Sequence, residues 1–196
     1  MKNNYGLKDV VGQLGTVLDV EGDVIECGSN RCGTSIIMAK YLKIMDSDKK
    51  IYAFDAFGSG LDVTELENER RLGLTGSPNT LFTYNSFEYV RKKIKLLGLE
   101  DTIIPIKGLF EKTLPSIKNK VCFCLIDCDL RKCMTYCAET LWSQITTSGV
   151  MLFDDYGSSN YKGVKIAVDS FVHEYQHEIL EHGFLNKVYQ VRKVVH

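Results

Sequence analysis

A chain of 196 residues, 44% of them hydrophobic, is long enough for one domain with a substantial core and too short for two that each bury their own. Its 24 Lys and Arg nearly balance 25 Asp and Glu, so it has no basic field of the kind that draws nucleic acid or an anionic membrane, and neither partner is expected. The first residues lack the apolar run of a secretion signal and no later stretch is long and apolar enough to span a bilayer, so a soluble, cytoplasmic protein is expected.

Short β-branched runs alternate with longer stretches of helical period, which predicts an α/β fold with a mostly parallel sheet. Residues 23–28 (DVIECG) read as the first strand, 34–45 as a helix with Ile36, Ile37, Ala39, Leu42 and Ile44 apolar, and 50–55 (KIYAFD) as the second strand. Residues 58–78 are polar and glycine-containing without a clear period, the pattern of a surface excursion, and form a candidate lid. Phe87, Val90, Ile94 and Leu97 recur at helical spacing over 85–97, with Gly98 suited to the C-terminal cap, and 103–106 is a third strand. After a turn at 113–116 the order continues with a strand at 121–128, a helix at 132–145, a strand at 150–153 and a helix at 164–177. Residues 178–195 then read as two closing strands around Asn186 and Lys187. No repeat, proline-rich linker or low-complexity tract intervenes, so one domain over 1–196 is expected.

Seven cysteines is an odd count, and five of them (Cys122, Cys124, Cys128, Cys133, Cys137) fall in one segment that also reads as core. Without a secretion signal these read as reduced thiols rather than a disulfide framework. Cys122 and Cys124 alternate along an apolar run, which would place both on one face of a buried strand, and Cys133 and Cys137 are four apart on the following helix. A zinc site is the alternative to small buried hydrophobes, and the latter reading is preferred. His173 and His177, on the last helix, and His182 beyond it read as solvated.

The first site signal is ECGSNRCG at 26–33, between the first strand and the first helix, at the carboxyl edge where glycines let backbone approach a ligand. Its Gly-x-x-x-x-Gly spacing is not the Gly-x-Gly-x-x-Gly of a dinucleotide site, and no Lys-Ser/Thr follows to make a phosphate loop. A carboxylate at Glu26 could meet a cationic ligand and would repel a pyrophosphate, while Asp55 at the end of the second strand could accept ribose hydroxyls. Together they suggest a nucleoside that carries positive charge, with a capped turn and an ordinary strand-end Asp as the alternative. The second signal is DCD at 127–129 with DD at 154–155. Neighbouring parallel strands would gather these acids at one edge, where a divalent cation makes so many like charges tolerable; otherwise they cap helices or face solvent. Oxygen ligands favour Mg²⁺, with Mn²⁺ or Ca²⁺ possible. Tyr156 could flank the metal and Phe57 could pack on the cofactor, although aromatic residues beside strand ends are more often core or rim.

From about residue 22 to 171 the chain resembles the macrocin O-methyltransferase family, the TylF-like enzymes that methylate sugar hydroxyls on natural products. The likeness rests on GDVIECG (22–28), YAFDAF (52–57), KGLFEKTLP (107–115), LIDCDL (125–130), GVMLFDDY (149–156) and AVDSF (167–171), in that order. It implies a class I methyltransferase (Rossmann-like) fold: a seven-stranded, mostly parallel sheet with the last strand antiparallel and helices on both faces. It also implies an O-methyltransferase that takes S-adenosylmethionine and acts on a hydroxyl of a sugar, glycoside or other vicinal diol. Glu26, Gly28, Ser29, Gly33 and Asp55 would then line the cofactor site with Ala56, Phe57, Gly108 and Asp127. Asp127, Asp154 and Asp155 would ligate a Mg²⁺ that holds two adjacent substrate oxygens, and Asp129 becomes the candidate general base.

Three positions depart from the family pattern: Cys32 stands where a second glycine is common, Cys128 replaces a glycine between two acids, and RKCM at 131–134 replaces a stretch that is often YEST. The chain also begins close to its first strand, so closure over the site is expected from 58–78 or from a partner subunit in a homo-oligomer. Metal-dependent catechol methyltransferases present a similar set of acids, so the metal ligands alone do not fix the substrate class. An NAD(P)-binding Rossmann-type oxidoreductase is disfavoured by Glu26, and a non-catalytic S-adenosylmethionine-binding protein is left open by the altered 131–134 stretch.

Overall fold

The β-branched and aromatic runs pair as strands in the order β3-β2-β1-β4-β5-β7-β6, in a computed structural model that describes residues 4–58, 62–76 and 85–194. The strands are β1 (Asp23–Cys27), β2 (Ile51–Asp55), β3 (Ile103–Lys107), β4 (Val121–Ile126), β5 (Ile145–Phe153), β6 (Ile179–Leu185) and β7 (Val188–Lys193). β1 to β5 run parallel, and β7 lies antiparallel to both β5 and β6, so the last strand is the reversed one, as expected. The helices are α1 (Asn4–Gly15), α2 (Gly33–Ile44), α3 (Val63–Arg71), α4 (Phe87–Leu96), α5 (Phe110–Thr113), α6 (Arg131–Trp142) and α7 (Lys162–Glu174). No described helix is long and apolar enough to cross a membrane.

Strands covered on both faces read as unbroken apolar runs, because each alternate side chain enters a different core. Along β5, Val150 and Leu152 pack with α1, α2 and α4 through Leu14, Ile36, Leu42, Val90 and Ile94. Met151 and Phe153 pack on the other face with α6 and α7, where Trp142 meets Phe171 edge-on with ring centroids 5.3 Å apart. The strand order rises from β1 to β3 on one side and continues with β4 on the other, so the chain switches direction between β1 and β4. In open α/β sheets a crevice forms outside the carboxyl ends at that point.

Several sequence expectations are corrected. Cys122 and Cys124 do not share a face: the register of β4 slips between Val121 and Phe123, and Cys122 joins Phe123 in the α2 side of the core while Cys124 joins the α6 side. A bulge puts one extra residue in the strand and flips the alternation behind it. The stretch 58–78 is not wholly irregular, since 63–71 is helix α3; residues 59–61, 77 and 78 lie outside the described set. α3 has no apolar period, but Asp62 caps it by accepting the amides of Thr64 (2.9 Å) and Glu65 (3.0 Å), and Arg70 and Arg71 suit its last turn. α1 and the short α5 were not anticipated, β5 starts at Ile145 rather than 150, and α6 stops at Trp142.

Candidate active site

The turns after β1, β2, β3 and β4 enclose a cavity of about 520 Å³. Glu26, Gly28, Ser29 and Gly33 line it from the β1 turn, Asp55 and Ala56 from the end of β2, Gly108 from the end of β3, and Asp127 and Asp129 from the end of β4. A second cavity of about 190 Å³ is lined by Asp154 and Asp155 together with Leu7, Thr34 and Asp127, three residues that also line the first. The two cavities therefore adjoin at Asp127. Of the residues expected at the site, Phe57 and Tyr156 line neither cavity: Phe57 is buried against Phe87, ring centroids 5.2 Å apart, in the α4 side of the core.

The turns reach this arrangement through left-handed backbone. Asn30, Cys32, Asp129 and Asp155 have φ of 48°, 52°, 61° and 58°, a conformation that costs ordinary residues about 1–3 kcal/mol and that clusters at functional sites. Cys32 adopts a left-handed conformation that a glycine takes without penalty. Gly28 (φ +86°) is packed so closely that a Cβ would collide with the carbonyl of Asp127. The Asp127 amide in turn donates to the Cys27 carbonyl (2.8 Å), so the glycine turn and the acid turn are fastened to each other.

The first half of the site is built to accept hydrogen bonds. Glu26 is 1% exposed, and its carboxylate takes the Ser35 hydroxyl from α2. Burial, reinforced by the Glu26 charge, pushes the Cys32 thiol up to about 12, so it stays protonated. Asp55 Oδ2 accepts the Asn30 amide (2.8 Å), and Oδ1 accepts the Phe57 amide (2.7 Å) and Asn85 Nδ2 (2.9 Å). With about four lone-pair sites on a carboxylate, roughly one is left for a ligand hydroxyl. No side chain caps α2, Gly33 and Thr34 of its first turn line the cavity, and a Cβ at Gly33 would meet nothing within 4 Å. That open space and these acceptors fit a nucleoside with a cationic group.

In the second half, carboxylate oxygens of Asp127, Asp129 and Asp155 all lie within 4.8 Å of one another, the only such group of His, Cys, Asp or Glu among the described residues. Asp154 lies beside them with Oδ1 accepting the Asp155 amide (2.9 Å). Three hard oxygen donors at that spacing suit Mg²⁺, Mn²⁺ or Ca²⁺. The cysteines are free thiols, all buried but Cys133, which is partly so. Tyr156 turns to α7, where its hydroxyl donates to Asp169 (2.7 Å) and accepts from Lys165 (3.1 Å), and His182 Nδ1 pairs with the Tyr189 hydroxyl (2.6 Å).

Sequence reasoning missed Asn85, which orients Asp55 and also accepts the Gly58 amide (2.7 Å), and Leu7, which stands between the two cavities. The first carried no motif. The second lay in an i, i+3, i+7 apolar spacing, Leu7, Val10 and Leu14, that marks α1.

Known proteins resemble this chain in sequence and in fold. The family of macrocin-O-methyltransferases (TylF) matches residues 6–184. The chain is 28% identical over 148 residues to the 8-demethyl-8-(2,3-dimethoxy-alpha-L-rhamnosyl)-tetracenomycin-C 4'-O-methyltransferase of Streptomyces olivaceus, a match over 70% of this chain and 54% of that one. It thus spans about half the length of that curated relative. Among solved structures, the O-methyltransferase NovP superposes with a TM-score of 0.82 at 21% identity, covering 97% of this chain and 80% of that one. The calicheamicin methyltransferase CalS11 does so with 0.78 at 16%, covering 95% and 78%. The SAH-bound methyltransferase PaMTH1 of Podospora anserina gives 0.66 at 14%, covering 100% and 80%. These likenesses establish the fold.

Proposed function

Because the chain belongs to the macrocin-O-methyltransferase (TylF) family, we propose that it transfers a methyl group from S-adenosylmethionine to a hydroxyl of a sugar or other vicinal diol, with Mg²⁺ holding the acceptor. The observation that carries this reading is the junction at Asp127, where a nucleoside-sized cavity lined by Glu26 and Asp55 meets the carboxylate cluster. The Streptomyces olivaceus relative, a rhamnosyl-tetracenomycin 4'-O-methyltransferase, supports a sugar acceptor.

Bound there, S-adenosylmethionine would supply a methyl group on a cationic sulfur, and a divalent cation would lower the pKa of an acceptor hydroxyl. The chain's own residues do the rest. Glu26 offers a buried carboxylate to the cofactor's ammonium group, and Asp55, held by three donors, keeps its remaining acceptor site for a ribose hydroxyl. Gly33, where a Cβ would meet nothing within 4 Å, leaves room for the cofactor to approach backbone, while Gly28 lets the β1 turn pack against the Asp127 carbonyl. Asp127 and Asp155 would hold the cation, with Asp154 beside them at the edge of the same cavity. Asp129, 8% exposed and within the same cluster, takes the proton from the acceptor hydroxyl as the new C–O bond forms and the C–S bond breaks. Holding the two reactants in line can lower the barrier by up to roughly 7–11 kcal/mol.

The test is formation of S-adenosylhomocysteine from S-adenosylmethionine with rhamnosides and other vicinal diols, with and without EDTA. Turnover that EDTA stops and Mg²⁺ restores is expected. Turnover indifferent to EDTA would remove the metal from the account.

A further inference from the structure

Helix α3 is polar, yet its Glu69 is 2% exposed. The Glu69 Oε1 accepts the backbone amide of Arg131, the first residue of α6, and Oε2 is buried without a hydrogen-bond partner among the described residues. α6 has no cap of its own, because Leu130 occupies the N-cap position. Gly163, in the first turn of α7, leaves the space this carboxylate fills: a Cβ there would stand 2.7 Å from Oε2 and 3.0 Å from the Arg131 Cβ. The chain leaving α3 is fastened at the same place. The Leu74 amide donates to the Glu69 carbonyl (2.8 Å), the Lys162 amide donates to the Leu74 carbonyl (2.8 Å), and Thr75 bridges Tyr161.

A buried carboxylate with one idle oxygen is costly, and burial holds the Glu69 carboxyl above the usual range. What it provides is a charged acceptor for an orphan amide at the start of α6, immediately after the turn that carries Asp127 and Asp129. We propose that Glu69 is a positioning residue for the acid cluster: by capping α6 from another helix it holds the 127–130 turn in the geometry that receives a divalent cation. The consequence for metal binding rests on the function proposed above; the clamp on the turn does not.

Three variants separate the two. Glu69→Ala removes the clamp. Glu69→Gln keeps an oxygen for the Arg131 amide. Gly163→Ala leaves Glu69 in the chain but drives its carboxylate aside, at a helical position where Ala is otherwise favourable. Amide exchange over 127–134, Mn²⁺ affinity by paramagnetic resonance and S-adenosylhomocysteine affinity by calorimetry are compared with the unmodified protein. Glu69→Ala and Gly163→Ala should each speed exchange at 127–134 and weaken Mn²⁺ by about tenfold or more, the scale of one lost charge-assisted bond. Glu69→Gln should stay near the unmodified protein, because the capped amide is then intact, and S-adenosylhomocysteine should lose clearly less affinity than Mn²⁺ in the other two, because the 127–130 turn lines only one side of the larger cavity. Unchanged exchange over 127–134 in Gly163→Ala overturns the inference, as does parallel loss of both ligands or a Gln variant no better than Ala. If Glu69→Ala does not fold, Gly163→Ala still decides. Should the unmodified protein bind no Mn²⁺, the metal reading fails while the exchange data still judge the clamp.

Discussion

Asp127 borders both cavities: Glu26 and Asp55 line the first, where the cofactor is proposed to bind, and Asp154 and Asp155 line the second. Substitutions should divide the same way. Asp154→Asn is expected to abolish metal-dependent turnover while leaving S-adenosylhomocysteine affinity intact; full turnover in that variant would refute the ligand set. Glu26→Ala should instead weaken S-adenosylhomocysteine first, by roughly 10- to 100-fold for one charged hydrogen bond, as calorimetry would show. The cysteines give a third check: seven thiols should titrate in denaturant and almost none in the native protein, given their burial and the upward shift at Cys32. These acids were legible in the sequence because strand-end carboxylates stand out against apolar runs. Asn85 and Glu69 were not, because each acts on a partner far along the chain, Asp55 and Arg131, and neither belongs to a spacing pattern.

At the scale of elements, the β1 turn and the end of β4 behave as one unit. Gly28→Ala would add a Cβ against the Asp127 carbonyl at a positive φ, costing at least about 1–3 kcal/mol, and should impair cofactor and metal binding together, unlike either residue change above. A lowered melting temperature with both affinities reduced is the expected result; normal binding of both ligands would show that the turn and strand end are not coupled. The seven strands were readable from β-branched runs, and the mostly parallel character of the sheet from their alternation with helices. The bulge at Cys122 was not, since an apolar strand covered on both faces hides a one-residue slip. α3 escaped notice for the opposite reason: only Leu66 and Glu69 are buried on it, so its caps, not its period, mark it.

For the whole molecule, three carboxylates gathered this closely repel one another, and a cation that bound only the folded chain, as proposed, would relieve that repulsion. Mg²⁺ at about 100 times its dissociation constant should add about 2.7 kcal/mol, roughly 5–10 °C in melting temperature for a chain of this size. Asp127→Asn should abolish that rise, which a thermal scan would show. The sheet's switch between β1 and β4 is what brings the two half-sites to one edge, so fold and chemistry share an origin. The most direct test of that union is calorimetric titration of the purified protein with S-adenosylhomocysteine and, separately, NAD, each with and without Mg²⁺. S-adenosylhomocysteine should bind tightly and NAD not at all. Failure to bind the sulfur nucleoside, or preference for the dinucleotide, would contradict the proposed function.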